Sequence, residues 1–240
     1  MHVKKDFRVL TFDVVGTLID FETGIASYVR DVAEKAGLSV DGETVLTAYR
    51  KARALPGAGL FPDDLVRCYL EIARALSLPA TDEAAQGLRQ SVKDWPAFAD
   101  SVEALARLHK RFKLVAMTNA QNWALAHFSQ TLGNPFDLTV TVDDVGLEKP
   151  NPQFFAFARG RISAWGFGLK DILHVAQSQY HDIGVARALG YTVCWIERRK
   201  GMKGFGGTLE PARLTVPDHH FSTLAELADA VDEDRLDRVA

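Results

Sequence analysis

A stretch of about 70 residues with no strand pattern separates one short buried strand from a long run in which strands and helices alternate. Few folds accommodate that order. Residues 8–12 (RVLTF) are apolar and β-rich and stop at Asp13, with Gly16-Thr17 marking a tight turn immediately afterwards. Between residues 22 and 92 the apolar positions recur at helical spacing instead. Ile25, Tyr28, Val29 and Val32 lead, and helices are predicted again over 45–54, 62–76 and 82–92. Beyond Trp95-Pro96 a helix over 101–110 precedes a strand over 113–117 (KLVAM), and further strands are predicted over 138–142, 172–176 and 192–196. Such alternation produces parallel strands joined by right-handed crossovers. The predicted organisation is an α/β core at residues 1–20 and 97–240 with a helical insert at 21–96.

Composition narrows the function classes. With 47% hydrophobic and 25% charged residues the chain can build a packed core. Its net charge is -3, and its one basic run, Glu197-Arg198-Arg199-Lys200, is too short to track a nucleic-acid backbone, so no nucleic-acid partner is expected. No apolar stretch approaches the roughly 20 residues that span a bilayer, and the polar start Met1-His2-Val3-Lys4-Lys5-Asp6 lacks the apolar region of a signal peptide. Cys68 and Cys194 have neither a C-x-x-C partner nor a histidine cluster nearby, and read as buried free thiols of a reducing compartment. A cytoplasmic location is expected, with no membrane partner and a homodimer as an allowed assembly.

In parallel sheets ligands sit at the carboxyl ends of the strands. Asp13, Thr118-Asn119, Lys149 and residues 177–182 all fall there. Alone, Asp13 could simply cap a turn. A threonine, a lysine and a second aspartate at the same sheet edge are what an ionised carboxylate nucleophile needs. Lys149 would keep Asp13 charged, Thr118 would donate a hydrogen bond, and Asp182 would hold Lys149 in place.

These residues carry a family resemblance. Asp13-Val14-Val15-Gly16-Thr17-Leu18 is similar to the first haloacid dehalogenase motif, D-x-x-G-T-L, and Met117-Thr118-Asn119 to the second. Glu148-Lys149-Pro150-Asn151-Pro152 resembles the third, and Val175-Ala176-Gln177-Ser178-Gln179-Tyr180-His181-Asp182 the fourth. The four occur in the family's order over nearly the whole chain, and the family's helical cap follows the first motif, where the strand-free block lies. The resemblance implies a Rossmann-like α/β core with an inserted helical cap. It also implies that Asp13 is a nucleophile forming a covalent aspartyl intermediate, with Thr17, Thr118, Asn119, Lys149, Ser178 and Asp182 as its catalytic companions.

Two branches of that family differ in chemistry. The phosphatase branch has D-x-D at the first motif and a magnesium-binding aspartate at the fourth, where this chain has Val15 and Gln177. Valine cannot move a proton, and a neutral amide is a poor ligand for a hard cation. No cofactor is therefore expected; the alternative is Mg2+ held weakly by Asp13 and Asp182. The 2-haloacid dehalogenase branch needs no metal and no leaving-group acid, and the string 175–182 with Phe21-Glu22-Thr23-Gly24 resembles its type II subfamily. Members of that branch usually carry tyrosine, tyrosine and asparagine where this chain has Val15, Phe155 and Gln179. With Gln177 these are the positions expected to line the substrate.

A substrate carboxylate calls for a guanidinium from the cap. Arg50 is preferred to Arg53 because Tyr49-Arg50 sits where the family places its cap arginine. His174 reads as a structural histidine, His181 has no partner histidine at metal spacing, and Trp95, Trp123, Trp165 and Trp195 read as packing residues. Residues 201–207 (GMKGFGG) read as a flexible loop. Three functions stay open: a metal-independent hydrolase acting on a small anionic molecule, a magnesium phosphatase with a degraded metal site, and a catalytically silent binding protein.

Overall fold

The computed structural model describes residues 7–236. β1 (Val9–Phe12) leads into four helices, α1 (Phe21–Lys35), α2 (Gly42–Ala54), α3 (Leu65–Leu76) and α4 (Asp82–Ser91). The alternating part follows: α5 (Ser101–His109), β2 (Lys113–Met117), α6 (Asn122–Thr131), β3 (Leu138–Val140), α7 (Val142–Val145), α8 (Pro152–Ser163) and β4 (Ile172–Ala176). α9 (Gly184–Ala188), β5 (Thr192–Ile196), β6 (His219–Phe221) and α10 (Leu224–Asp232) complete it. Among the described residues no strand lies between α1 and α4, and no helix is long and apolar enough to cross a membrane. The outer ends expected for the core, residues 1–6 and 237–240, lie outside the described residues.

All strands are parallel, in the order β3-β2-β1-β4-β5-β6. The order reverses between β1 and β4, and in open α/β sheets the crevice outside such a point is where ligands bind. The inner strands are mostly apolar because helices cover both faces. Pleating sends Leu10, Phe12, Leu114, Ala116, Leu173 and Val175 to the face packed by α5, α10 and the insert. Val9, Val115, Met117, Ile172 and Ala176 go to the other, against Phe154, Phe155, Ala158 and Ile162 of α8.

The chain crosses between core and insert twice, and the crossings are hydrogen-bonded side by side. Asp20 N–H donates to the Pro96 carbonyl (2.8 Å) and Phe98 N–H to the Leu18 carbonyl (3.0 Å). Local chemistry sets the helix starts: Asp20 accepts from Thr23 N–H (3.0 Å) to cap α1, and Thr81 caps α4 through Ala84 N–H. α3 begins at Leu65 rather than at residue 62, because Phe61 pairs in extended form with Ala120 and precedes a proline.

Two further boundaries differ from expectation. β3 stops at Val140 because Thr141 and Asp144 form a capping box that turns the chain into α7. β6 went unpredicted, since three residues, His219-His220-Phe221, are too few and too polar to show a period.

Candidate active site

Asp13 is the first residue beyond β1, and its N–H donates to the Val175 carbonyl of β4 (3.1 Å), so it sits at the reversal of strand order. The turn after it needs Gly16 at φ +92°, where a side chain would be strained and a β-carbon would press on Phe21 and Gln177. That turn returns Thr17 to Asp13: its hydroxyl donates to Asp13 Oδ2 (2.7 Å) and accepts Gln177 N–H (2.8 Å), joining the first and fourth motifs.

Lys149 is fully enclosed, with its side chain 1% exposed. Its ammonium donates to Asp13 Oδ1 (2.9 Å), Asp182 Oδ1 (2.6 Å) and the Met117 carbonyl (2.8 Å), which uses all three of its N–H bonds. Burial pulls its pKa down, yet the two carboxylates overcome this and hold it above its ordinary value. Burial raises the Asp13 carboxyl, Asp182 adds to the rise, and Lys149 and Thr17 oppose it. Asp182 is held low despite burial, by Lys149 and by His174. Asn119 clamps the Lys149 backbone at both ends, donating to its carbonyl (2.9 Å) and accepting its N–H (2.7 Å). Asp182 is fixed by His174 Nε2 (3.1 Å), whose Nδ1 meets Thr11 Oγ1 (2.9 Å). Its other oxygen, Oδ2, is buried without a hydrogen-bond partner among the described residues.

A cavity of about 90 Å³ opens over Asp13. Thr118, Asn119, Lys149, Gln177, Ser178 and Val15 line it, together with Phe21, Tyr49, Arg53 and Phe61 from the insert. Thr118 is an acceptor here, its Oγ1 taking Ala120 N–H (3.1 Å), rather than a donor to Asp13. Thr17 and Asp182 lie behind the wall, acting on Asp13 and Lys149.

Three expected substrate contacts fall elsewhere. Arg50 donates to the Gly206 carbonyl (2.7 Å) outside the cavity, while Arg53, about one turn further along α2, lines it. Phe155 is buried beneath the sheet against His174 and Tyr191, because α8 turns it toward the core. Gln179 is drawn away by Thr215, with which it exchanges hydrogen bonds of 2.9 and 3.3 Å.

The sequence reading missed Tyr49, which brings a phenol to a cavity that lacks one at positions 15 and 155, and burial holds that phenol in its protonated form. It also missed Gly207, the last residue of what had read as a flexible loop, and Thr208 and Leu209 just beyond it. His181, set aside for want of a metal partner, lines the cavity as well. Its Nδ1 pairs with Ser178 Oγ (3.0 Å), and burial lowers the imidazole to about 4, so it is neutral at pH 7.

A divalent cation fits this donor set poorly. Asp13 Oδ1 and Asp182 Oδ1 already share the Lys149 ammonium, and Gln177 Oε1 accepts the Thr208 hydroxyl (3.3 Å).

The chain is similar to known proteins in both sequence and fold. An (S)-2-haloacid dehalogenase of Pseudomonas fluorescens is 26% identical over 214 residues, which cover 82% of this chain and 87% of that one. The L-2-haloacid dehalogenase of Xanthobacter autotrophicus with chloropropionic acid covalently bound superposes with a TM-score of 0.74 at 19% identity, over 94% of this chain and 98% of the other. The HAD-hydrolase YfnB of Bacillus subtilis, bound to magnesium, gives 0.76 at 18% identity, over 95% and 100%. The profile of the haloacid dehalogenase-like hydrolases matches residues 7–190, and the chain belongs to that family.

Proposed function

We propose that this protein is a metal-independent hydrolase of the 2-haloacid dehalogenase type, working on a small halogenated acid through Asp13. The observation that carries the reading is the pairing of Asp13 with Lys149 at the floor of a cavity where Val15 stands in place of a general acid. A carboxylate oxygen of Asp13 attacks the carbon bearing the halogen, the carbon–halogen bond breaks, and the halide leaves with its electron pair, needing no proton. The product is an ester of Asp13. Water then attacks the Asp13 carboxyl carbon and the ester C–O bond breaks. A 2-hydroxy acid departs with one proton of the water, the other is released, and Asp13 is restored as a carboxylate. The names of the relatives support the substrate class, and the covalent chloropropionic adduct in the Xanthobacter enzyme supports the ester.

In this reading Lys149 and Thr17 hold Asp13 ionised, Asp182 fixes the Lys149 ammonium, and Asn119 positions the Lys149 backbone. Thr118, Ser178, Val15 and Gln177 border the reacting atoms, and Arg53 takes over from Arg50 as the guanidinium facing the substrate carboxylate. The core comprises residues 1–20 and 97–240 and the cap 21–96. Two buried free thiols, Cys68 and Cys194, suit a cytoplasmic setting.

The test is chloride release from 2-chloropropionate and phosphate release from phosphate monoesters, each before and after exhaustive chelation. Chloride release indifferent to chelation is expected, with oxygen-18 from labelled water entering the Asp13 carboxyl during turnover. Phosphate release that chelation abolishes, without chloride release, would replace this reading by a phosphatase.

A further inference from the structure

Arg50, Gln177 and Gln179, all expected on the substrate, share a different partner: the segment 201–217 between β5 and β6. Arg50 holds the Gly206 carbonyl (2.7 Å), Gln177 accepts the Thr208 hydroxyl (3.3 Å), and Gln179 grips both backbone groups of Thr215. Glu22 adds a fourth tether by accepting Gly207 N–H (2.8 Å) and is itself paired with Arg199 (2.5 Å). The anchors thus come from both sides of the cavity, Glu22 and Arg50 from the insert and the two glutamines from the core. The seat is tight. A β-carbon on Gly206 would overlap the Glu22 carboxylate, and one on Gly207 would meet the Phe21 ring at 2.7 Å. Held there, Gly207, Thr208 and Leu209 form one wall of the cavity that Asp13 opens into. At two positions where the fourth motif departs from the family pattern, the replacement glutamines therefore have a use: they moor this strap.

We propose that the strap at 206–209 is the specificity-determining wall of the catalytic cavity and limits its ligand to carboxylic acids of about two or three carbons. The inference rests on the small-acid reading above. A volume of about 90 Å³ is well below the roughly 150 Å³ of an apolar cavity that admits benzene, room for a carboxylate and a short stub but not for an extended chain. Leu209 is the residue to change. It is half-buried, lines the cavity, and makes none of the tethering hydrogen bonds, so trimming it widens the wall without releasing the strap.

Titration calorimetry with acetate, propionate, butyrate and hexanoate tests this without requiring turnover. The unaltered protein should bind acetate and propionate and lose about tenfold or more in affinity by hexanoate. Leu209→Ala should extend the tolerated length, gaining roughly fourfold for each methylene newly buried. Leu209→Trp should weaken propionate. The proposal is overturned if Leu209→Ala keeps the original length profile, if the unaltered protein binds hexanoate as tightly as propionate, or if no carboxylate binds at all. Chloride release from 2-chloropropionate is scored separately. A length profile that moves with Leu209 but no chloride release sinks the dehalogenase reading and keeps the strap; chloride release with an unmoved profile does the reverse.

Discussion

Lys149 faces two carboxylates with a single positive charge and has no N–H to spare, so its contribution can be isolated by removing that charge alone. Lys149→Met retains most of the volume. Asp13, already raised by burial and by Asp182, would lose the cation that opposes the rise and titrate higher still. Turnover at neutral pH should fall on the order of 10- to 1000-fold, and the rising limb of the pH–rate profile should move to alkaline pH. A loss of rate with an unmoved profile would mean that Lys149 does not set the ionisation of Asp13. His181 gives a second, independent titration. Burial takes it from its ordinary 6.5 down to about 4, with Lys149 and Arg53 helping and Asp182 opposing. The unfolded chain therefore takes up this proton at higher pH than the folded one. The stabilising contribution is complete above pH 6.5 and is lost as pH falls toward 4. His181→Phe should make stability less steep in acid, by on the order of 2 kcal/mol between pH 7 and 4.5. Urea midpoints at the two pH values decide it, and equal acid sensitivity in both proteins would acquit the histidine.

Adjacent carboxylates at the start of α3 show how an element's setting decides what a charge is worth. Asp64 has a side chain 3% exposed and receives Arg53 from α2 (2.5 Å) and two hydrogen bonds from Arg67 (both 2.7 Å). Arg67 also reaches the Ala52 carbonyl at the end of α2, so Asp64 fastens the two helices together. Asp63 has a side chain 47% exposed and pairs with Arg89 at the surface. Asp64→Asn should cost about 1–3 kcal/mol, between the limits for exposed and buried pairs, and Asp63→Asn under about 1 kcal/mol. Equal urea midpoints for the two variants would contradict this ranking. The same distinction explains what the sequence could reveal. β1, β2, β4 and β5 were legible as short, mostly apolar runs, and a parallel sheet placed Asp13, Thr118, Lys149 and Asp182 at one edge. Arg50 and Arg53 lie within one turn of the same helix, and which of them faces the cavity depends on where Gly206 presents its carbonyl. Nothing in the periodicity of α2 carries that information. The strap is illegible for the same reason: its glycines and threonine show no pattern, and its position comes from partners such as Glu22 and Gln179 that are distant in sequence.

Across the whole molecule the insert and the core share one apolar interior. Phe12, Leu18 and Phe128 of the core and Ile25, Val29, Tyr49 and Leu65 of the insert belong to a single contiguous cluster. Trp95 sits where the two meet, 2% exposed, with its ring 5.9 Å from Phe61 of the insert and 6.2 Å from Phe128 of α6. Its indole N–H donates to Ser91 Oγ (3.2 Å), which fixes the ring between them. An insert whose apolar face is completed by the core cannot keep that face buried after the core opens. The protein should therefore melt in one transition, with equal calorimetric and van't Hoff enthalpies. Trp95→Ala removes the largest side chain at the junction and should cost about 3–5 kcal/mol. At about 2–4 °C per kcal/mol for a chain of this size, the melting temperature should drop by roughly 6–20 °C. The transition should stay single, because the variant weakens a contact common to both parts. Scanning calorimetry of both proteins makes the comparison, and two resolved transitions in the unaltered protein would show that insert and core fold independently.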